Sequence, residues 1–158
     1  MTSIDTYVSQ EKPPTCIESF SGAGGMALGL HRAGFEIRLA FDNSPAAVET
    51  YSANMKYPAI VQDASKISAE QVLGLIGLKR GELDLWSGGP PCQGFSTQKR
   101  GADPNDPRNR LVSNYVKLVH GVLPKAFLFE NVAIFGRKRG QRFVEEMQTV
   151  LSDYDIHA

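Results

Sequence analysis

The stretch TCIESFSGAGGMALGLHRAG, Thr15 to Gly34, changes its hydrophobic period part-way along. Up to Phe20 it is a short apolar run closed by a glycine cluster. From Gly25 onward the apolar residues recur at helical spacing. Strand, glycine turn, helix is the reading, and it repeats outward from this point. EIRLAF precedes SPAAVETYSANM, AIV precedes SAEQVLGLIG, LDLWS precedes RLVSNYVKLVHGVL, and KAFLFE, QRFVEEMQTVL and YDIHA continue the series. Alternation of this kind predicts an α/β fold: a mostly parallel sheet with right-handed crossovers and helices on both faces.

The chain has 158 residues, with 17 basic against 17 acidic side chains. That length suits one domain with a real core. Residues 1–14 are polar, end in Pro13-Pro14, and read as a flexible leader to a domain over 15–158. Neither a signal peptide nor an apolar run of membrane-spanning length is present in the sequence, so a cytoplasmic protein is expected, nucleoid-associated if bacterial. The two cysteines, Cys16 and Cys92, make neither a disulfide framework nor a cysteine zinc site, and no metal is expected. Cys16 lies near the start of its strand and reads as core, whereas Cys92 follows the end of another strand.

Ligands of such sheets bind outside the carboxyl ends of the strands, so those ends sort the candidates. The first carries Gly22, Gly24 and Ala27, a G-x-G-x-x-A turn that fits a nicotinamide cofactor and S-adenosylmethionine equally well. Phe20 just before it could stack on an adenine ring or fill the core. The second end offers Asp42, placed to bind ribose hydroxyls or to cap a helix; Asn43 and Ser44 could cap instead and leave Asp42 free. The third offers Asp63, an acceptor for an adenine amino group, with the next helix starting near Ser68. At the fourth, GGPPCQGFSTQKRG holds Cys92 stiffly behind Pro90-Pro91 and frees the chain at Gly94, which fits a presented reactive thiol and, equally, a surface turn that happens to contain a cysteine. The fifth delivers Glu130 after the apolar Phe127-Leu128-Phe129, where poor solvation would favour a protonated carboxyl. Basic groups follow these last two ends: Lys99, Arg100, Arg108 and Arg110, then Arg137, Lys138, Arg139 and Arg142. Together they would form a positive rim suited to phosphates.

From Thr15 onward the sequence resembles the cytosine-carbon-5 DNA methyltransferases. FSGAGG is similar to their first cofactor motif, GGPPCQGFS to their nucleophile motif and ENV to their glutamate motif. The resemblance implies a Rossmann-like S-adenosylmethionine-dependent methyltransferase fold and methyl transfer to carbon 5 of cytosine in DNA through a covalent cysteine adduct. It implies Cys92 as nucleophile, Glu130 as proton donor and Asn131 as the residue positioning that strand end. The cofactor, S-adenosyl-L-methionine, would meet Phe20, Ser21, Gly22, Ala23, Gly24, Gly25, Asp42, Asn43, Asp63, Ala64, Gly89, Pro91 and Leu111. DNA would meet Gln93, Ser96, Lys99, Arg100 and Arg137, with the target base flipped out of the helix.

Two departures qualify the resemblance. Glu18 stands where the family usually has an aspartate, which leaves its contact to the methionine amino group open. The sequence also stops before the family's target-recognition region, so a second chain or a further C-terminal segment is expected to complete it. Rival readings are a nicotinamide-dependent oxidoreductase, which leaves PPCQ and ENV unexplained, a tRNA cytosine-5 methyltransferase, and a non-catalytic module that binds cofactor or nucleic acid.

Overall fold

The computed structural model describes residues 12–91, 110–132 and 141–157, with Arg142 described through its backbone only. Among them five strands, β1 (Thr15–Ser19), β2 (Glu36–Asp42), β3 (Ala59–Val61), β4 (Leu85–Gly88) and β5 (Ala126–Phe129), alternate with five helices. The helices are α1 (Gly25–Arg32), α2 (Pro45–Asn54), α3 (Ala69–Ile76), α4 (Arg110–Val122) and α5 (Gln141–Val150). Every strand pairing is parallel and the spatial order is β3-β2-β1-β4-β5. A Rossmann-like arrangement follows, with β1 in the middle and the order reversing beside it.

Strand alternation divides the core in two. Cys16, Ile37, Ala40 and Leu85 point to one face and pack with Ala27 and Leu30 of α1 and Tyr51 of α2. Ile17, Leu39, Phe41 and Trp86 point to the other and meet Val72 and Ile76 of α3, Val116 and Val119 of α4, and Phe143 and Met147 of α5. Helix starts follow local chemistry. Ser44 caps α2 ahead of Pro45, and Ser68 with Gln71 forms a reciprocal capping box on α3. Cys16 is wholly buried at the centre of the sheet, and burial pushes its thiol up to about 12, which makes it inert at neutral pH.

One expected strand is not formed. Residues 151–153 make a turn, closed by the Tyr154 backbone N–H donating to the Leu151 carbonyl, and Tyr154–His157 enter no ladder. Side-chain anchoring explains the difference: the Tyr154 ring meets Phe127 edge-on at 5.2 Å and its hydroxyl donates to the Pro124 carbonyl. The segment therefore packs on the fold through side chains, while β5 keeps one unpaired edge among the described residues.

β1 and β4 approach closely at their carboxyl ends. A β-carbon on Gly88 would lie 2.4 Å from Ser19 Oγ and 2.8 Å from the Ser19 carbonyl oxygen. Trp86 Nε1 donates to that same hydroxyl at 3.0 Å, so it cannot move aside without breaking a buried hydrogen bond. Gly88→Ala is expected to destabilise the protein by about 1–3 kcal/mol, read as a lower urea midpoint at unchanged slope; an unchanged midpoint would contradict this packing.

Candidate functional site

The turn leaving β1 is knitted to the end of β2. Phe20, Gly22 and Gly24 have positive φ (55°, 52° and 93°), a conformation that costs glycine least. Gly24 also has no room for a side chain, because a β-carbon there would sit 3.0 Å from the Tyr51 ring. The Ser21 backbone N–H donates to the Phe41 carbonyl at 3.2 Å. Asp42 completes the knot: Oδ2 accepts the Gly22 N–H and Oδ1 the Ser44 N–H, each at 2.9 Å. Ser44 caps α2 as expected, but Asp42 is not left free. Its two oxygens anchor the glycine turn and the entry to α2 together.

Phe20, Asp42, Asn43, Asp63, Ala64 and Leu111 line one small slot together with Phe41 and Gln62. Three strand ends and the start of α4 thus converge on a common point. Its volume, about 10 Å³, is too small for an adenine ring, so a nucleoside would enter only with a rearrangement of the lining. Asp63 accepts the Ser65 hydroxyl at 2.7 Å and its N–H at 2.8 Å, and these bonds hold its carboxyl below the usual range. Asp63 therefore stays an acceptor at neutral pH. Gln62, beside it, was not singled out in the sequence; its position at the end of β3 was the available signal.

Behind the turn, Glu18 is 2 % exposed and its Oε2 has no hydrogen-bond partner; buried Ser21 Oγ and Tyr51 OH are likewise unpartnered. Burial pushes the Glu18 carboxyl up to about 7; the Ala27 backbone N–H opposes that shift and the Asp42 charge adds to it. Gly24 caps α1 without a side chain, so Glu18 serves that helix end from the strand below. A ligand with an adenosine and an amino-acid group fits these residues. The unpartnered Ser21 hydroxyl offers a polar contact, the acids at Asp42 and Asp63 suit hydroxyl or amino donors, and buried Glu18 suits a cation.

The second centre lies on the neighbouring strand ends. β4 pairs with β5 through Gly88 opposite Phe129, and the Glu130 N–H donates to the Gly88 carbonyl at 3.0 Å. Asn131 Nδ2 donates to the Pro90 carbonyl at 3.0 Å, while its Oδ1 accepts the Val132 N–H. Gly89 and Pro90 are thereby held against Glu130 and Asn131. Glu130 itself is exposed, contrary to the expectation of a poorly solvated strand end. Phe127 and Phe129 turn toward the helices, but Leu128, on the other face, is 44 % exposed, since no described helix covers that side of β5. Cys92, Gln93, Ser96, Lys99, Arg100, Arg108, Arg137, Lys138 and Arg139 lie outside the described residues. Arg110 opens α4 and is exposed. Beside β5 runs an apolar groove of about 580 Å³, bounded by Phe127, Leu128, Val132, Met147, Tyr154 and Ile156. Among the described residues no three acids, histidines or cysteines cluster to hold a metal, and no helix is long and apolar enough to cross a membrane.

Comparison with known proteins gives a consistent picture. The family model for C-5 cytosine-specific DNA methylase matches residues 15–157. The chain is 40% identical over 117 residues to Type II methyltransferase M.AquIA of Picosynechococcus, covering 73% of this chain and 47% of that protein. It is 38% identical over 116 residues to Type II methyltransferase M.HgiGI of Herpetosiphon aurantiacus, covering 73% of this chain and 88% of that one. A solved structure described as a prophage-encoded DNA modification methyltransferase (E. coli) superposes with a TM-score of 0.78 at 32% identity, over 90% of this chain and 39% of its own. Against M.AquIA and the prophage enzyme, the chain spans less than half the relative's length.

The buried Glu18 gives a pH test. A carboxyl whose folded value lies above its ordinary one binds its proton better in the folded state. Stability therefore falls as pH rises from about 4.5 to about 7, and the full cost of the buried charge is present above that. Glu18→Gln removes the charge and keeps an acceptor for Ala27. The variant should be more stable than the parent at pH 8, by an amount on the order of 3 kcal/mol. That advantage should shrink through pH 7 and vanish near pH 4.5. Urea unfolding across this range would contradict the assignment if the difference were independent of pH.

Proposed function

The chain belongs to the C-5 cytosine-specific DNA methylase family, and from that premise we propose that it is the catalytic and cofactor-binding part of a DNA (cytosine-5-)-methyltransferase of restriction-modification type. One observation carries the reading: the approach to Cys92 and the pair Glu130-Asn131 sit on adjacent parallel strand ends, tied by the Asn131–Pro90 hydrogen bond. The slot at Phe20, Asp42 and Asp63 lies along the same edge of the sheet.

Carbon 5 of cytosine is a poor nucleophile until a thiolate adds at carbon 6. In this reading Cys92 makes that bond, and the charge pushed toward ring nitrogen 3 is met by a proton from Glu130. S-adenosyl-L-methionine held at this edge would supply an electrophilic methyl group for carbon 5 and leave as the neutral thioether S-adenosyl-L-homocysteine. Loss of the carbon 5 proton then expels Cys92 and restores the ring. Asp42 and Asp63 would hold the ribose and the adenine amino group, Phe20 would stack on the adenine, and the turn from Ser21 through Ala23 to Gly25, with the Ser21 hydroxyl, would border the amino-acid end. Asn43, Ala64, Gly89, Pro91 and Leu111 border the cofactor. The base is flipped from the duplex to reach the thiol, with Gln93, Ser96, Lys99, Arg100 and Arg137 on the DNA.

Target recognition, in this reading, comes from polypeptide beyond these residues, on the same or a second chain. Two observations support it: the greater length of M.AquIA and the prophage enzyme, and the apolar groove beside β5, whose outer edge is unpaired among the described residues.

Trapping on DNA carrying 5-fluorocytosine tests the mechanism, because fluorine at carbon 5 cannot leave as a proton and the adduct persists. With cofactor and the completing polypeptide supplied, the adduct should map to Cys92. Cys92→Ala should abolish it, Cys16→Ala should retain it, and Glu130→Gln should slow its formation by roughly 10²-fold or more. An adduct at Cys16, or trapping by the Cys92→Ala variant, would overturn the proposal; trapping on the corresponding RNA in preference to DNA would reassign the substrate.

A further inference from the structure

We propose that Gly89 is a positioning residue for Glu130: the lack of a side chain at 89 is what lets the Glu130 carboxylate lie against the backbone leading to Cys92. The inference rests on the reading of Glu130 as proton donor and adds to it a residue whose contribution is empty space. A β-carbon on Gly89 would lie 2.7 Å from Glu130 Oε2, well inside van der Waals contact, and 3.7 Å from Glu130 Cβ. Backbone conformation is not the reason for glycine here. Gly22, Gly24, Gly34, Gly77 and Gly81 have positive φ and Gly89 does not. An L side chain could adopt this conformation, so what it lacks is room.

The neighbouring Gly88 separates two kinds of need. There the obstacles are a backbone carbonyl and the Trp86-bonded hydroxyl of Ser19, so substitution strains the sheet. At Gly89 the obstacle is the far end of an exposed side chain that can turn into solvent. Alanine would therefore leave the fold standing and evict the carboxylate from its place. The backbone would not follow. Glu130 N–H remains bonded to the Gly88 carbonyl and Asn131 Nδ2 to the Pro90 carbonyl, so these fixed points hold the strand ends together while the carboxylate alone is displaced.

The first arm of the test needs no activity. In the 158-residue chain carrying carbon-13 glutamate, the Glu130 carboxyl signal is assigned by its loss in Glu130→Gln. In Gly89→Ala that signal should shift more than any other glutamate's while the unfolding midpoint holds. A Glu130 signal that stays in place would overturn the proposal whatever the enzyme does. The second arm is adduct formation on 5-fluorocytosine DNA. Gly89→Ala should slow it about tenfold or more, part of the ~10²–10⁴-fold that a positioned proton donor contributes. In a Glu130→Asp background, read at saturating S-adenosylmethionine so that the contact of Gly89 with the cofactor does not enter, the same substitution should cost less than it does in the parent, because the shorter side chain withdraws its oxygen from residue 89. Equal rates for the parent and Gly89→Ala would also overturn it. A shifted signal in a protein whose parent traps no DNA would leave the positioning intact and count against the catalytic reading.

Discussion

The site depends on β1 being paired on both sides. Its partners β2 and β4 are parallel to it, and the crossovers that reach them run over opposite faces: α1 on the face shared with α2, α3 on the face shared with α4 and α5. The chain therefore leaves neighbouring strand ends in divergent directions, and a crevice opens where no loop can close it. That crevice forms only if β1 and β4 come close, which is why the side-chain-free Gly88 sits opposite Ser19. The glycine turn and the loop toward Cys92 both start from this contact. Packing at the sheet's centre thus fixes the distance between the candidate cofactor slot and the candidate catalytic edge.

Asp42 illustrates how one carboxylate can serve structure and ligand together. Its two oxygens accept the Gly22 and Ser44 N–H groups, which would otherwise be unpaired at a turn and at a helix entry. An ionised carboxylate has about four acceptor sites, so two remain for ribose hydroxyls in the proposed complex. The turn is then pre-set by the same group that would bind the ligand. Such a site orders little on binding, which keeps the entropic cost of association low.

Much of this was legible in the sequence because it was local. Ser44 before Pro45, and Ser68 three residues before Gln71, announce helix starts through bonds made within one turn. The glycines at 22 and 24 announce a left-handed turn, although at Gly24 the Tyr51 ring adds a requirement that no local reading shows. Longer-range features were less so. Chain order correctly suggested that β4 and β5 are neighbours, but it does not say that β1 lies between β2 and β4. The YDIHA segment has strand-like alternation, yet Tyr154 is captured by Phe127 and Pro124 before any ladder forms. The exposure of Glu130 differs from the expectation for a related reason: an apolar run looks buried on both sides, and only the arrangement of the described helices reveals that none of them covers one face of β5. Gly89 lay in plain sight, but its use depends on a side chain forty-one residues away, like the Asn131–Pro90 bond beside it.

The two glutamates of the crevice end up with opposite environments. Glu18, away from the proposed chemistry, is buried beneath the glycine turn, where desolvation holds its proton to about pH 7. Glu130, at the candidate catalytic edge, faces solvent beside an apolar groove. If Glu130 is the proton donor, the protein alone does not supply the dry surroundings in which such a group is strongest. They must come with what closes over that edge, the flipped base and the polypeptide against β5. Proton transfer would then be coupled to substrate capture: the exposed side chain is shielded from solvent only when a ring occupies the space beside Gly89. On this view, holding the carboxylate's position is the task of the strand ends, and changing its solvation is the task of the substrate.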